Sequence, residues 1–350
     1  MRLAKRRAQT EPLLFYGTVI VVTRGGYIKR MPLKQFESQN RGTRGKRSTT
    51  SDSSMDNEIA HCFTCNDHDT LLMVSQKGIA YGLRAFQVPI GSRTAKGQPI
   101  PSVLPIPLTD VITSILPIAE FSDHRFVVMV TENGWIKKTP LNAFTKLTSR
   151  GLTIATLSDG DRINRCSLCQ DGDDLLIGSA MGKATRFESA SLRPTGRTSR
   201  GVYSMRLGEG DAVVDMNVLK GTPTKEVGTT TTGEEFVLAV TSNGFGKRMS
   251  TNEFRSQARG GKGVIAMKFK SEEDRIACFR IVRADDEVLV ITSKGIIVRQ
   301  KVSGISSVGR AAVGVRVQKL DPGDAISSVS LVPRYEEQDG TSADANSSSS

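Results

Sequence analysis

The stretch VVMVTENGWIKK, residues 127–138, sets an apolar run and a threonine against a second strand-like run across Asn133-Gly134. Asn-Gly is a hairpin signal, because both residue types take up positive φ at little cost. The flanking Val, Met, Ile and Trp suit strands. The same frame recurs as VIVVTRGGYIKR (19–30), LLMVSQKGIAYG (71–82), LLIGSAMGKATR (175–186), FVLAVTSNGFGKR (236–248) and VLVITSKGIIVR (288–299). Its reference glycines, Gly26, Gly78, Gly134, Gly182, Gly244 and Gly295, fall 48 to 62 residues apart. Six copies of a hairpin-based unit predict an all-β array, radial or stacked.

The repeat extends beyond the hairpin. Fifteen residues after the reference glycine stand Arg41, Arg93, Arg197, Arg259 and Arg310, with Arg150 one place late in the third copy. Three positions further come Arg44, Lys96, Arg200 and Lys262, and next to these the glycines Gly45, Gly97, Gly201, Gly263 and Gly314. Radial repetition places such a loop at the same edge of every unit and predicts a belt of cations. Further basic residues recur on the second hairpin strand: Lys29-Arg30, Lys137-Lys138 and Lys247-Arg248, with Arg186 and Arg299 alone. Strand neighbours point to opposite faces, so half of these are expected to be solvated charges. SDGD (158–161), GEGD (208–211) and DPGD (321–324) read as tight turns, because the full calcium ligand loop is missing.

The chain has 350 residues and a net charge of +12. The last fifteen, EEQDGTSADANSSSS, hold four acids and no base, which leaves the body more basic still. Such a body favours a polyanion. Aromatic residues are 5% of the chain, too few for stacking platforms along a single strand, so duplex is the expected form. No apolar run is long enough to cross a membrane. The start, MRLAKRRAQTEPLLF, lacks the apolar core of a secretory signal and reads as the edge of a larger protein. Cys62-x-x-Cys65 and Cys166-x-x-Cys169 stand about a hundred residues apart in strand-like runs. Buried reduced thiols are expected there, not zinc.

The basic loops carry a resemblance. QNRGTRG (Gln39, Asn40, Arg41, Gly42, Thr43, Arg44, Gly45) and QARGGKG (Gln257, Ala258, Arg259, Gly260, Gly261, Lys262, Gly263) begin at the same place in the first and fifth repeats. Both are similar to Gln-Arg-Arg-Gly-Gly-Lys-Gly, the heptapeptide of the DNA gyrase A C-terminal domain. RLGEGD (206–211), TSNGFGKR (241–248) and SSVGRAAVGV (306–315) resemble that family too, and the likeness covers roughly residues 15–333. It implies a six-bladed β-pinwheel of four-stranded blades over 15–333, a linker over 1–14 and an acidic, Ser-rich tail over 334–350.

It also implies that a basic rim wraps duplex DNA chirally and without regard to sequence. The parent gyrase would then introduce negative supercoils with ATP and Mg, neither bound by this domain. Partners would be the rest of the gyrase A protein and, through it, gyrase B, with the domain itself monomeric and no membrane involved. The expected DNA-binding set is Gln39, Arg41, Gly42, Arg44, Gly45, Lys46, Arg47, Arg93, Lys96, Arg150, Arg197, Arg200, Gln257, Arg259, Gly260, Gly261, Lys262, Gly263 and Arg310. Position and cation density favour the first heptapeptide as the wrap-defining contact; identity favours the fifth. No catalysis is expected: Arg334-Tyr335 has the wording of a cleavage tyrosine but no catalytic surroundings. The corresponding domain of topoisomerase IV and a protein-binding propeller are the rival readings. A bacterial cytoplasm or nucleoid, a chloroplast and a mitochondrion are all compatible locations.

Overall fold

The computed structural model describes residues 17–32, 59–92, 94–107, 109–221 and 234–332. The expected linker and acidic tail, together with the first heptapeptide, lie outside the described residues.

Every recurring stretch is a β-hairpin, closed in the same way. Each reference glycine has a positive φ, between 76° and 84°. The Ser or Thr that ends the apolar run is buried, and its hydroxyl accepts the amide that follows the glycine: Trp135 N to Thr131 at 3.1 Å, Lys183 N to Ser179 at 3.3 Å and Ile296 N to Thr292 at 3.2 Å. The glycine is the fourth residue of the turn, its amide donating to the carbonyl of that Ser or Thr at 3.0–3.1 Å, so the preceding position need not be asparagine. Lys77, Met181 and Lys294 occupy it elsewhere.

The chain runs through the repeats as follows. The first gives β1 (Gly17–Thr23), β2 (Tyr27–Pro32) and β3 (Ile59–Asn66); the second, β4 (Thr70–Ser75), β5 (Ile79–Arg84), β6 (Gln98–Pro99) and β7 (Ile112–Ile118). The third gives β8 (Arg125–Thr131), β9 (Trp135–Pro140), β10 (Leu152–Thr153) and β11 (Ile163–Gln170). The fourth gives β12 (Asp174–Ser179), β13 (Lys183–Glu188), β14 (Val202–Tyr203) and β15 (Val213–Leu219). The fifth gives β16 (Glu235–Thr241), β17 (Phe245–Ser250), β18 (Val264–Ile265) and β19 (Ile276–Arg283). The sixth gives β20 (Glu287–Thr292), β21 (Ile297–Lys301), β22 (Val315–Arg316) and β23 (Ile326–Leu331).

The long strands of a repeat stay together, but the two-residue strand leaves for the blade before. Thus β6 pairs with β2, β10 with β5, β14 with β9, β18 with β13 and β22 with β17. Five blades are four-stranded, and the sixth has three strands among the described residues. The whole is a six-bladed β-pinwheel.

Apolar side chains fill the spaces between successive blades. Leu72 and Val74 meet Val127 and Met129; Val128 and Val130 meet Leu175 and Ile177; Val237 and Ala239 meet Leu176 and Ala184. Both faces of the sheets are therefore covered, which explains why their strands read as near-continuous apolar runs. The sixth blade returns to the first at its inner edge, where Ser330 Oγ donates to the Ile59 carbonyl at 3.2 Å. Inner strands surround a central cavity of about 770 Å3, lined in part by His61, Arg165, Asp215 and Arg280.

The cysteines pack separately: Cys166, Cys169 and Cys278 are buried as expected, whereas Cys62 and Cys65 are only half-buried. Cys166 lies in the core between the second and third blades and Cys169 in the next one, so the two thiols of that pair face different interfaces. Burial pushes each up to about 12. The acidic glycine turns are tight turns: Asp161 Oδ1 accepts the Asn133 amide at 3.1 Å, and Asp211 Oδ1 the Met181 amide at 2.8 Å, each clasping the hairpin of its own blade.

Candidate nucleic-acid interface

Because each exchanged strand is the outermost of its sheet, the loop that delivers it lies on the rim of the disc. The described rim loops are 91–97 (Arg93 excepted), 147–151, 195–201, 257–263 and 308–314. Each is tied at its start to the second hairpin strand of the preceding blade. Gly91 N donates to Arg30 O, Thr195 N to Lys138 O, Gln257 N to Arg186 O and Val308 N to Arg248 O, at 2.7–3.0 Å. In the third repeat Gly82 N donates to Thr148 O at 3.0 Å.

Each loop ends on a glycine with positive φ: Gly97, Gly151, Gly201, Gly263 or Gly314. A Cβ at Gly201 would lie 2.4 Å from the Ile136 carbonyl oxygen, and one at Gly263 2.6 Å from that of Ala184. These glycines let two backbones meet where the strand is handed over. Gly263 thus has a structural task beside any contact with a ligand.

Between the two ties the loops present their cations. Lys96, Arg150, Arg200, Arg259 and Lys262 are exposed, and Arg197 and Arg310 are half-buried. The Lys96 ammonium stands 4.1 Å from the Tyr27 ring centre, and the Arg200 guanidinium 4.0 Å from that of Trp135 while also donating to Ser158 Oγ. Arg310 reaches the Ile265 carbonyl at 3.1 Å, and its amide donates to Glu253 Oε2 at 3.0 Å. Gly260 and Gly261 stand in open space: a Cβ added at either would meet no atom closer than 3.7 Å. Gln39, Arg41, Gly42, Arg44, Gly45, Lys46, Arg47 and Arg93 lie outside the described residues.

Main-chain amides of the fifth-repeat loop are partly engaged: Gln257 N is tied to Arg186, and Gly260 N donates to the Ser204 carbonyl at 2.8 Å. One expectation needs correction: the basic residues on the second hairpin strands are not half solvated. Lys29, Lys137, Lys138 and Lys247 are 0–3% exposed. Lys138 Nζ meets Asp171 Oδ1 at 2.7 Å and the Ser189 carbonyl at 2.9 Å. Arg30 pairs with Asp67, and Arg248 donates to the Ile305 carbonyl at 2.7 Å. Only Arg299 remains exposed, against Glu287. A strand on a free surface would have left one of each pair in water; here the loops and turns of the next repeat cover both. Sequence reasoning also passed over Arg206, exposed beside the fifth-repeat loop, whose amide donates to Gly261 O at 2.8 Å.

The electrostatics follow from where the acids are used. Asp67, Asp171, Asp173, Asp174, Asp215 and Glu287 pair with Arg30, Lys138, Lys220, Arg186, Arg165 with Arg280, and Arg299. Among the described residues no carboxylate pairs with Lys96, Arg150, Arg197, Arg200, Arg259, Lys262 or Arg310. These six carboxylates pair within and between blades, and none of them meets a rim-loop cation.

A family model described as the DNA gyrase C-terminal domain, β-propeller, matches residues 17–56, 69–100, 125–170, 173–220, 235–281 and 286–333. The chain belongs to this gyrase family. The DNA gyrase A protein of Synechocystis sp. is 42% identical over 346 residues, covering 92% of this chain and 40% of that protein. Its Escherichia coli K12 counterpart is 35% identical over 297 residues, covering 85% and 32%. The chain thus spans 40% or less of the length of these two relatives. A solved DNA topoisomerase IV C-terminal domain matches with a TM-score of 0.74 at 25% identity, covering 92% of this chain and 94% of that one. A DNA gyrase A C-terminal domain gives 0.68 at 26%, covering 90% and 99%. Blade architecture is common to both kinds of domain, whereas the sequence relatives named above are gyrase A proteins.

Proposed function

We propose that the chain binds duplex DNA along its rim and wraps it chirally, independently of sequence, as the wrapping domain of a gyrase. The observation that carries this reading is the set of rim-loop cations in register, none of those among the described residues paired with an acid. Such a belt suits the phosphate backbone, which is read by charge and spacing rather than by base edges. Contact with about ten phosphates would give a slope of log K against log salt near −9. Bending a duplex of ~20–30 base pairs costs a few kcal/mol, offset by the contacts that the bend brings to further loops. In this reading the disc has no catalytic group and no cofactor of its own. ATP and Mg serve the parent enzyme, gyrase B is reached through the rest of gyrase A, and the setting is bacterial or organellar DNA.

The test is topological. The protein is incubated with relaxed circular plasmid and a nicking-closing topoisomerase, then removed, and the linking number is counted. A change of constant sign that grows with protein supports chiral wrapping. The higher TM-score to a topoisomerase IV domain gives the second reading its footing, and it predicts tight binding without a linking change. Absence of binding at low salt would leave a protein-binding propeller.

A further inference from the structure

The described rim loops are of two kinds, and they alternate. Beneath the loop of the fourth repeat, Lys137 Nζ donates to the carbonyls of Gly196 and Ser199, both at 3.1 Å, and to that of Arg197. Beneath the loop of the sixth repeat, Lys247 Nζ donates to Gly309 O at 2.9 Å, to Ala312 O at 2.8 Å and to Arg310 O. Beneath the loop of the second, Lys29 Nζ donates to Ser92 O at 3.4 Å and Ala95 O at 2.8 Å. Counted from the reference glycine, the carbonyls gathered lie at offsets 14, 15 and 17 in the fourth and sixth repeats and at 14 and 17 in the second. The lysine always stands three residues after the reference glycine of the preceding blade.

That position holds Tyr81, Thr185 and Val298 in the other blades. Below the fifth-repeat loop, Thr185 is buried and its hydroxyl has no hydrogen-bond partner among the described residues. A second feature follows the same alternation. The residue after the reference glycine is Tyr27, Trp135 or Phe245 in the lysine-bearing blades and Ile79, Lys183 or Ile296 in the others. Lys96 and Arg200, each eighteen residues after its reference glycine, stack on Tyr27 and Trp135 at 4.1 and 4.0 Å, while Phe245 takes Lys270 at 4.5 Å and, from β22, Arg316 at 4.9 Å. The cations of the third- and fifth-repeat loops, Arg150, Arg259 and Lys262, have no hydrogen-bonded, ionic or ring partner for their side chains among the described residues.

We propose that Lys29, Lys137 and Lys247 are positioning residues of the DNA-binding rim, each holding one loop's carbonyls inward so that its outer side is preset for phosphate. A buried ammonium needs its donors satisfied, and main-chain carbonyls that converge on it cannot turn outward towards a polyanion. The loops of the second, fourth and sixth repeats are fixed stations clamped from beneath, while those of the third and fifth are held by main-chain ties alone and leave their cations freer to adjust to the duplex. Preset donors lose less freedom on binding. This inference rests on the rim being a DNA-binding surface.

The test compares the full chain with Lys137→Met and Lys247→Met, singly and together, by amide hydrogen exchange without DNA and by duplex binding across a salt series. Exchange in 195–201 and 308–314 is expected to rise at least about tenfold, with 257–263 unchanged, and duplex affinity to fall about fivefold or more. Lys137→Arg, which keeps the charge, should restore part of both. Thr185→Lys supplies the missing ammonium and should slow exchange in 257–263, and this holds as a test even if the methionine variants do not fold. Unchanged loop exchange in folded methionine variants, or no slowing in Thr185→Lys, overturns the proposal. So does faster exchange with undiminished duplex affinity. A parent chain without duplex affinity at low salt would instead remove the DNA reading itself, and the two failures are told apart by the exchange data.

Discussion

Replacing Gly201 by alanine probes the point where one repeat hands a strand to another. Gly201 has φ 97°, and an added Cβ would sit 2.4 Å from the Ile136 carbonyl oxygen and 3.0 Å from Lys137 Cβ. A left-handed backbone costs an alanine about 1–2 kcal/mol. The clash is with backbone, so no side-chain rotation relieves it. Instead β14 must move off β9, losing the pairs Val202↔Ile136 and Tyr203↔Trp135, at about 1 kcal/mol for each ladder hydrogen bond. The total is about 3–4 kcal/mol, a large share of the ~5–15 kcal/mol of a typical domain. Gly260→Ala is the control: its φ is 75°, but the nearest atom is 3.7 Å away, so only the backbone cost of about 1–2 kcal/mol remains. Urea unfolding measures both. Trp135, the one tryptophan of the chain, stacks on Tyr203 with ring centres 4.1 Å apart. Its emission should shift to the red in Gly201→Ala before any global unfolding. Equal costs for the two variants, or an unchanged tryptophan spectrum, would refute the handover argument.

Other outcomes are as specific. Arg259→Ala and Lys262→Ala should each lower the salt slope of duplex binding by about 1, without moving the urea midpoint; a slope that stays put removes them from the contact set. Gly178→Ala should cost about 1–3 kcal/mol by overpacking, because a Cβ there would lie 2.4 Å from Phe279 Cδ1; combining it with Phe279→Leu should cost less than the two changes added separately, as a double-mutant cycle in urea would show. Stability should fall as the pH rises above 9. Burial holds all five thiols at about 12 against an ordinary 9.0, so between those values the folded chain keeps protons that the unfolded chain has released. Lys137 and Lys247, drawn down by burial to about 8 from 10.5, act in the opposite sense but are two groups against five. Urea midpoints equal at pH 8 and pH 10 would contradict this. In acid, burial first and Arg165 next hold His61 down to about 4. Its contribution is present above 6.5 and lost as the pH falls through 4, and His61→Gln should flatten that part of the acid-unfolding curve.

The hairpins were legible because their signals are local. A glycine at positive φ, a hydroxyl four residues before the next amide and an apolar run on each side lie within a dozen residues. The exchange was not legible. Val202-Tyr203 and Val264-Ile265 are two-residue strands with no periodicity to detect, and their partners lie some seventy to eighty residues earlier. The in-register arginines pointed to the rim, yet the reading of neighbouring cations as solvated failed because it treated a strand face as if nothing would cover it. Lys137 and Lys247 look like surface lysines until a loop from the next repeat closes over them. Their spacing in alternate copies was visible, but its meaning needed the third dimension.

The exchanged strands also decide how the ring carries mechanical load. Tension applied at the rim pulls on a loop, and that loop runs directly into the outermost strand of the preceding blade, as Gly201 runs into β14. The force therefore enters one sheet through a segment covalently continuous with the next. Peeling one of the five four-stranded blades away by its outer edge requires dragging its neighbour along, so a pull at any of the described loops is shared between two units.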